Sequence, residues 1–274
     1  MKNNLIPTSS WQGKLFKAVT LLFVAVFAVF IIGLILADIF YIDRKAMMTV
    51  LTAPFIRQSL WISIWTSSAA TAISLLFAVP AGFALSRYRF PGRLLVDTIV
   101  DLPIVFPPFV VGLTLLIFFK EAAVGKFIQN NLGIEFIFQP KGIVLCQFFV
   151  AAGFAVRFAK IAFDAVDVRG ENVALTLGCN RWDSFRYVAV PQAANGIIAG
   201  GIITWARSFG MFGPLFVFVG SMRSSTEVLP STIYRQQSDG NLEVAIAAAL
   251  LAVFIAFVSL LTIRLVSRKA VPVI

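Results

Sequence analysis

The sequence AVTLLFVAVFAVFIIGLILADIF, at residues 18–40, contains a single charged side chain, Asp38. A helix needs roughly 20 mostly apolar residues to cross a bilayer, so this run predicts a membrane-spanning helix. It is about twice as long as the apolar part of a secretory signal peptide, and no convincing small-x-small cleavage site follows it, so we expect it to be retained. Five further runs predict spans at about 58–86, 94–119, 143–163, 195–219 and 243–266.

The composition indicates the same fold class. Hydrophobic residues make up 59% of the chain, charged residues make up 13%, and the mean hydropathy is +0.90. The apolar fraction is too high for a disordered chain or a coiled coil, and two cysteines are too few for a disulfide-stapled secreted module. We therefore predict an all-α membrane protein with six transmembrane helices in a single domain, residues 1–274.

Residues that bind transition metals or relay protons are scarce. Histidine is absent, and Cys146 and Cys179 are the only cysteines. Metal sites and histidine-based catalysis depend on these residue types. The sequence therefore predicts no metal site and no catalytic residue. We also expect no disulfide, since Cys146 lies within a predicted span and Cys179 lies outside the spans.

The net charge of +10 reflects basic residues that lie between the apolar runs rather than on one face. This distribution favours lipid headgroups as the partner over nucleic acid. From Lys2 to Lys269, fourteen basic residues fall on the side that holds both termini and eight fall on the other. The positive-inside rule therefore predicts that the N- and C-termini are cytoplasmic.

The segment at about 164–191 is the one sizeable cytoplasmic connection. Asp167 is a suitable N-cap for a short helix through Leu177, and Gly178 can end that helix in the left-handed conformation. Asn180 is a plausible N-cap for a second short helix. The external segments at about 120–142 and 220–242 show little periodicity, and we expect them to be connecting loops.

Two large aromatic residues, Trp182 and Phe185, share one face of the second short helix. Aromatic side chains are frequent anchors at protein interfaces. The segment is therefore predicted to dock onto a cytoplasmic protein. A structural alternative is an amphipathic loop that rests at the lipid headgroups, where tryptophan and arginine are also common.

Glu171-Asn172-Val173-Ala174-Leu175-Thr176-Leu177-Gly178, followed by Trp182, Phe185, Val188, Val190 and Pro191, resembles the EAA loop of permease subunits of binding-protein-dependent ABC importers. That loop reads Glu-Ala-Ala, three residues, Gly, nine residues, Ile-x-Leu-Pro. Gly178 to Pro191 reproduces its second half at the same spacing. Its first half differs, because Asn172, Val173 and Ala174 occupy the Glu-Ala-Ala positions and Glu171 lies one place early.

Two other segments are similar to molybdate and sulfate permeases of that family. Leu102-Pro103-Ile104-Val105-Phe106-Pro107-Pro108 resembles their Leu-Pro-x-x-x-Pro-Pro segment. Ala206-Arg207-Ser208-Phe209-Gly210-Met211-Phe212-Gly213 resembles their Ala-Arg-x-x-Gly-Glu-Phe-Gly segment, with Met211 in place of the glutamate. The likeness extends over roughly 58–266.

The resemblance implies a type I (MetI-like) ABC importer transmembrane domain in a bacterial or archaeal plasma membrane. It implies an oxyanion such as molybdate, tungstate or sulfate as cargo, an extracytoplasmic solute-binding protein, and a second permease copy or a related permease. It also implies ATPase subunits that bind ATP and Mg²⁺, and this chain holds no cofactor. The residues predicted to couple to the ATPase are Glu171, Asn172, Ala174, Gly178, Trp182, Phe185 and Pro191.

Arg207 lies about eleven residues into the fifth predicted span, or roughly 17 Å at 1.5 Å per residue, so it is near the middle of the membrane. A charge at that depth usually faces a cavity or a partner. One interpretation is that Arg207 borders the translocation path and attracts an oxyanion. The favoured alternative is a buried ion pair between Arg207 and Asp101 of the third span.

The third span contains Pro103, Pro107 and Pro108, which remove backbone hydrogen bonds and bend helices. They predict either a moving gate or a static bend beside the path, which we expect to include Asp101, Arg207 and Met211 as well. Gly196 and Gly200 form a GxxxG pattern, which we interpret as a close helix contact.

A competing function is a stand-alone secondary transporter or channel driven by an ion gradient. Such a protein is expected to carry membrane carboxylates and an internal repeat, whereas only Asp97 and Asp101 qualify here and no repeat is apparent. A membrane-embedded enzyme is disfavoured, because no nucleophile with its base is recognisable.

Overall fold

The computed structural model describes residues 11–269, so Lys2 and both ends of the predicted domain 1–274 lie outside the described residues. The described chain is helical from end to end, with short connections. Its elements are α1 (Trp11–Tyr41), α2 (Arg44–Thr52), α3 (Pro54–Arg87), α4 (Arg93–Val105), α5 (Pro108–Glu121), α6 (Ala123–Leu132), α7 (Pro140–Asp164), α8 (Val168–Thr176), α9 (Arg181–Ser184), a π-helical turn (Phe185–Ala189), α10 (Val190–Phe209), α11 (Gly213–Phe218), α12 (Leu229–Ser238) and α13 (Leu242–Lys269).

Five continuous helical stretches of the described chain are long and apolar enough to cross a membrane. They are α1, α3, α7, the stretch from α9 through α10, and α13. Helices α4 and α5 make a sixth span when the bent pair is counted together. The prediction of an all-α membrane protein is confirmed, and each of the six predicted runs overlaps one of these spans.

The third span is broken rather than continuous. Pro103 lies inside α4, which ends at Val105, and Pro108 begins α5. The two helices differ in direction by 109°. Proline lacks the backbone N–H that would continue the helical ladder, so Pro107 and Pro108 stop α4 and restart the chain in a new direction. Pro80 has a milder effect, because α3 runs past it without a break.

The fifth span differs from its predicted bounds at both ends. The second short cytoplasmic helix is not separate, since α9 continues through the π-helical turn into α10. The turn contains a backbone hydrogen bond from Val190 N–H to the Phe185 carbonyl, and this widened geometry directly precedes Pro191. At its other end α10 stops at Phe209, and Gly210–Phe212 separate it from α11.

The external connections are more ordered than we expected from the sequence. Helix α2 follows α1, α6 occupies much of the segment at 120–142, and α12 occupies much of 220–242. The sequence interpretation, which treated these two segments as connecting loops, therefore missed α6 and α12. The helices were missed because they are short and amphipathic, and so few turns give no clear periodic signal in the sequence.

Helices α3, α7 and α10 pack together at the centre of the bundle, with glycine at their closest approaches. A Cβ atom on Gly82 of α3 would lie 2.7 Å from the Cβ of Ala159 on α7. A Cβ on Gly200 of α10 would lie 2.4 Å from the Cβ of Phe158. Gly196 has a similar contact with Ala162 at 2.6 Å, so the predicted packing role of the GxxxG pattern is confirmed.

Candidate functional site

The first candidate site is the cytoplasmic helix α8 and the turn that follows it. The Asp167 side chain caps the helix by accepting a hydrogen bond from the Arg169 N–H at 2.9 Å. The helix ends at Thr176 with Leu177 as its C-cap, and Gly178 adopts a φ of +94°, which strongly favours glycine over other residues. The predicted helix and its glycine stop are confirmed.

Two of the predicted coupling residues on α8 face the rest of the chain. Ala174 is buried, and Glu171 is only 8% exposed. The Glu171 carboxylate forms an ion pair with Arg87, with Nη2 and Oε1 2.8 Å apart. Asn172, which follows Glu171, is exposed. The two sides of α8 therefore have different environments: one side packs on the helix bundle and the other is exposed.

The two predicted aromatic anchors have different surroundings. Trp182 is 62% exposed, and its ring centroid lies 5.5 Å from that of Phe185. Phe185 packs inward, with ring centroids 4.7 Å from Phe83 and 6.2 Å from Phe163. Trp182 is thus available to a partner, whereas Phe185 joins the segment to the membrane bundle. Pro191 lies at the start of α10 and is exposed.

Exposed aliphatic residues of α8 were missed by the sequence interpretation, which considered only aromatic anchors. Val173 is 56% exposed and Leu177 is 80% exposed. These residues are four apart on α8 and its C-cap, a spacing that places side chains on one helix face. With Trp182 they form what we term the coupling face: Val173, Leu177 and Trp182. The i, i+4 spacing of two large apolar residues in a cytoplasmic helix is the signal that could have identified them.

The second candidate site is a cavity of about 230 Å³ at the breaks of the third and fifth spans. Pro103 and Pro108 line it from α4 and α5, while Arg207 and Met211 line it from the end of α10 and the following segment. Other lining residues are Phe106, Val111, Val150, Gly210, Phe212, Gly213 and Pro214. Four of the six residues predicted for the path therefore surround one cavity, and Pro107 lies in the break beside it.

Arg207 does not pair with Asp101. Its guanidinium carbon lies 5.7 Å from the centroid of the Phe154 ring, its side chain is exposed, and it forms no ion pair within residues 11–269. Asp101 binds Arg157 instead, with Arg157 Nε and Asp101 Oδ1 3.0 Å apart. The favoured expectation of an Arg207–Asp101 pair was wrong, because Arg157 on α7 is the basic residue that lies opposite Asp101 of α4.

Four charged side chains join α4 to α7, and we term them the charge quartet: Asp97, Asp101, Arg157 and Lys160. Besides the pair between Arg157 and Asp101, Lys160 Nζ lies 2.7 Å from Asp97 Oδ2. Arg157 Nη1 also lies 3.6 Å from Asp97 Oδ1. Both carboxylates of α4 thus have basic partners, which reduces the cost of holding charge inside a membrane span.

Comparisons with known proteins show the family to which the chain belongs. The family described as "Binding-protein-dependent transport system inner membrane component" matches residues 74–271. The molybdenum transport system permease protein ModB of Escherichia coli is 34% identical over 213 residues, covering 77% of this chain and 93% of that protein. The molybdate/tungstate permease WtpB of Thermococcus kodakarensis is 36% identical, covering 64% of this chain and 66% of that protein.

Solved structures share the fold at low sequence identity. A chain of the bacterial alginate ABC transporter has a TM-score of 0.70 and 20% identity, and the match covers 94% of this chain and 95% of that one. A chain of the MetNI methionine ABC transporter has a TM-score of 0.63 and 14% identity, covering 84% of this chain and all of that one. With a family match over most of its length, the chain belongs to the inner membrane components of binding-protein-dependent transport systems.

Proposed function

We propose that this chain forms the translocation path of an ABC importer for a small oxyanion of the molybdate, tungstate or sulfate type. The observation that carries the proposal is the unpaired Arg207 at the cavity between the broken third and fifth spans. The names of the relatives ModB and WtpB support the same substrate class. Family membership favours an importer subunit over a stand-alone transporter or channel.

The chemistry of the cavity suits a transient anion contact. A guanidinium has several N–H donors that match oxyanion geometry. Arg207 is the sole ionisable residue among those that line the cavity. A single cation attracts the cargo without surrounding it, which allows the release that conduction requires.

Energy for transport has to come from another polypeptide. The sequence contains no Gly-x4-Gly-Lys-Ser/Thr loop for binding nucleotide phosphates. We therefore assign ATP and Mg²⁺ to a partner ATPase and assign its contact to the coupling face together with Asn172. A solute-binding protein on the external side and a second permease copy or related permease complete the proposed importer, and this chain performs no catalysis.

Uptake into vesicles that contain the purified transporter tests the substrate and the path. Accumulation of molybdate or sulfate is expected to require ATP, the ATPase and the binding protein. Arg207→Gln should reduce uptake, whereas Arg223→Gln, which removes an exposed arginine outside the cavity, should leave it near the original rate. Equal uptake by the two variants, or uptake without the ATPase, would contradict the proposal.

Co-purification of the ATPase tests the coupling face. Leu177→Asp and Trp182→Asp should each reduce the amount of ATPase that is recovered with the permease, because an interface anchor becomes charged. Phe127→Asp is a matched control, since Phe127 is 58% exposed on the external helix α6. Undiminished ATPase recovery with both coupling-face variants would show that the ATPase docks elsewhere.

A further inference from the structure

Arg87, the last residue of α3, is the centre of a hydrogen-bond network at the cytoplasmic end of the bundle. Its Nε donates to Glu171 Oε1 on α8 at 2.9 Å. Its Nη2 donates to the Val166 carbonyl at 3.1 Å, in the connection between α7 and α8. Its Nη1 donates to Ser86 Oγ at 3.0 Å, so all three guanidinium nitrogens hold a partner.

The network also reaches α7. The Ser86 hydroxyl donates to Asp164 Oδ1 at 2.5 Å, and Asp164 is the last residue of α7. Arg87 therefore joins the ends of α3 and α7 to the start of α8. The side chains of Arg87 and Glu171 are only 11% and 10% exposed, so water screens this contact less than it screens a surface ion pair.

Aromatic packing supports the network from the membrane side. Phe83 lies one turn before Arg87 on α3. The centroid of its ring lies 5.3 Å from that of Phe163 on α7 and 4.7 Å from that of Phe185 in the π-helical turn. Both sets of contacts join α3 to α7, but the polar network also reaches α8, whereas the aromatic rings reach the π-helical turn instead. Among these contacts, the directional hydrogen bonds of Arg87 are the ones that hold α8 itself.

The position of Glu171 in α8 explains why its carboxylate binds Arg87. A shift of one residue turns a side chain by about 100° around a helix axis. Asn172, at the first position of the Glu-Ala-Ala pattern, is exposed, whereas Glu171 one place earlier points to Arg87. The carboxylate is thus directed into the bundle and away from the open side of α8.

We propose that Arg87 and Glu171 are positioning residues that fix α8 to the cytoplasmic end of α3, so that a displacement of α8 moves α3 with it. The inference rests on the proposed role of α8 and the coupling face in contacting the ATPase. The two residues lie behind that face, so they act on the transfer of motion and not on the binding of the ATPase.

The complete transporter in vesicles distinguishes these two effects, since ATPase recovery, ATP hydrolysis and uptake are measured on one preparation. Glu171→Gln and Arg87→Gln each remove one charge of the pair. We expect ATPase recovery to stay close to that of the unchanged protein, while uptake per ATP hydrolysed falls about tenfold, as expected for the loss of a charged hydrogen bond. Arg89→Gln is the control, because Arg89 is an exposed arginine two residues away.

Rescue separates positioning from a general loss of structure. The exchanged pair Arg87→Glu with Glu171→Arg restores opposite charges at the same place, and Arg87→Lys keeps the charge. Both should recover a substantial part of the lost uptake per ATP. If the folded yield of a single variant falls, uptake per ATP hydrolysed is compared between the exchanged pair and the unchanged protein, and that comparison decides whether the residues position α8.

Unchanged uptake per ATP in both Glu171→Gln and Arg87→Gln would overturn the proposal. Loss of ATPase recovery in Glu171→Gln that the exchange does not restore would also overturn it, because Glu171 would then contact the ATPase directly. Failure of the proposed docking has a different signature, namely full ATPase recovery in Leu177→Asp and Trp182→Asp.

Discussion

The charge quartet and Arg207 are both within the membrane-embedded helices, yet their charges are used differently. The two carboxylates of α4 have basic partners on α7 at distances down to 2.7 Å, and these pairs fasten the broken third span to the centre of the bundle. Arg207 faces a cavity with an aromatic ring as its neighbour. The paired intramembrane charges therefore hold helices together here, whereas the unpaired charge lies at the cavity through which we propose the cargo passes.

Helix α7 supplies neighbours to both groups. Phe154 contacts Arg207 and Arg157 binds Asp101, and residues three apart lie on one side of a helix. The position of α4 and the surroundings of Arg207 are thus set by one stretch of α7. Substitutions in this stretch of α7 and in its partners test whether the charge quartet and Arg207 affect stability and uptake independently.

The largest effect is expected from Asp101→Arg, which places a cation beside Arg157. Repulsion and an unpaired intramembrane charge should destabilise the fold by about 3 kcal/mol or more, measured as the loss of folded protein in the membrane fraction. Combining it with Arg157→Asp should restore most of the yield. If the single variant accumulates normally, the quartet does not hold α4 to α7.

Arg207→Gln should have the opposite profile. Stability should change little, because no ion pair is lost, while uptake should fall about 30-fold, equivalent to about 2 kcal/mol of lost interaction with the moving anion. Thermal unfolding and vesicle uptake measure the two quantities. A large loss of stability would indicate that Arg207 is structural, like the quartet.

Gly153→Val tests whether close packing also holds α4 in place. A Cβ on Gly153 would lie 3.0 Å from the Val100 carbonyl oxygen and 3.2 Å from Ile104 Cγ1, both on α4. The larger side chain should cost about 1 to 2 kcal/mol through overpacking, measured by thermal unfolding. An unchanged melting temperature would leave the charge quartet as the main α4 contact.

Phe154→Leu should have the smallest effect. It removes the ring beside Arg207, and exposed cation–π contacts contribute about 0.5 to 1 kcal/mol, so uptake should fall about two- to fivefold. The exchange keeps an apolar side chain of similar bulk, so folded yield should hold. Uptake that falls as far as in Arg207→Gln would indicate that the ring sets the orientation of the guanidinium.

The sequence predicted features that depend on local chemistry. Runs of apolar residues located all six spans, and the Asp167 cap with Gly178 located α8, because capping involves neighbouring residues only. The proline-rich segment indicated a bend, but its angle of 109° depends on packing between distant helices. For the same reason the continuity of α9 with α10 was not foreseen.

The charged residues show most clearly what the sequence interpretation could not predict. The pairing of Arg207 with Asp101 was inferred from similar depth, but depth does not specify which helices are neighbours. Asp97 and Asp101 are four apart, and Arg157 and Lys160 are three apart, so each pair lies on one helix face. Matching those two spacings would have indicated the quartet. The Arg87–Glu171 contact joins residues 84 positions apart, and no local pattern identifies it.

Helix α1 has an unusual dependence on its surroundings. None of its most apolar window is buried inside the protein, so lipid rather than protein packing supplies most of its stabilisation. Extraction into detergent replaces that lipid with short mobile tails along the whole helix. The choice of detergent therefore affects α1 more than it affects the central α3, α7 and α10, and lipid nanodiscs are the suitable setting for biophysical work on its placement.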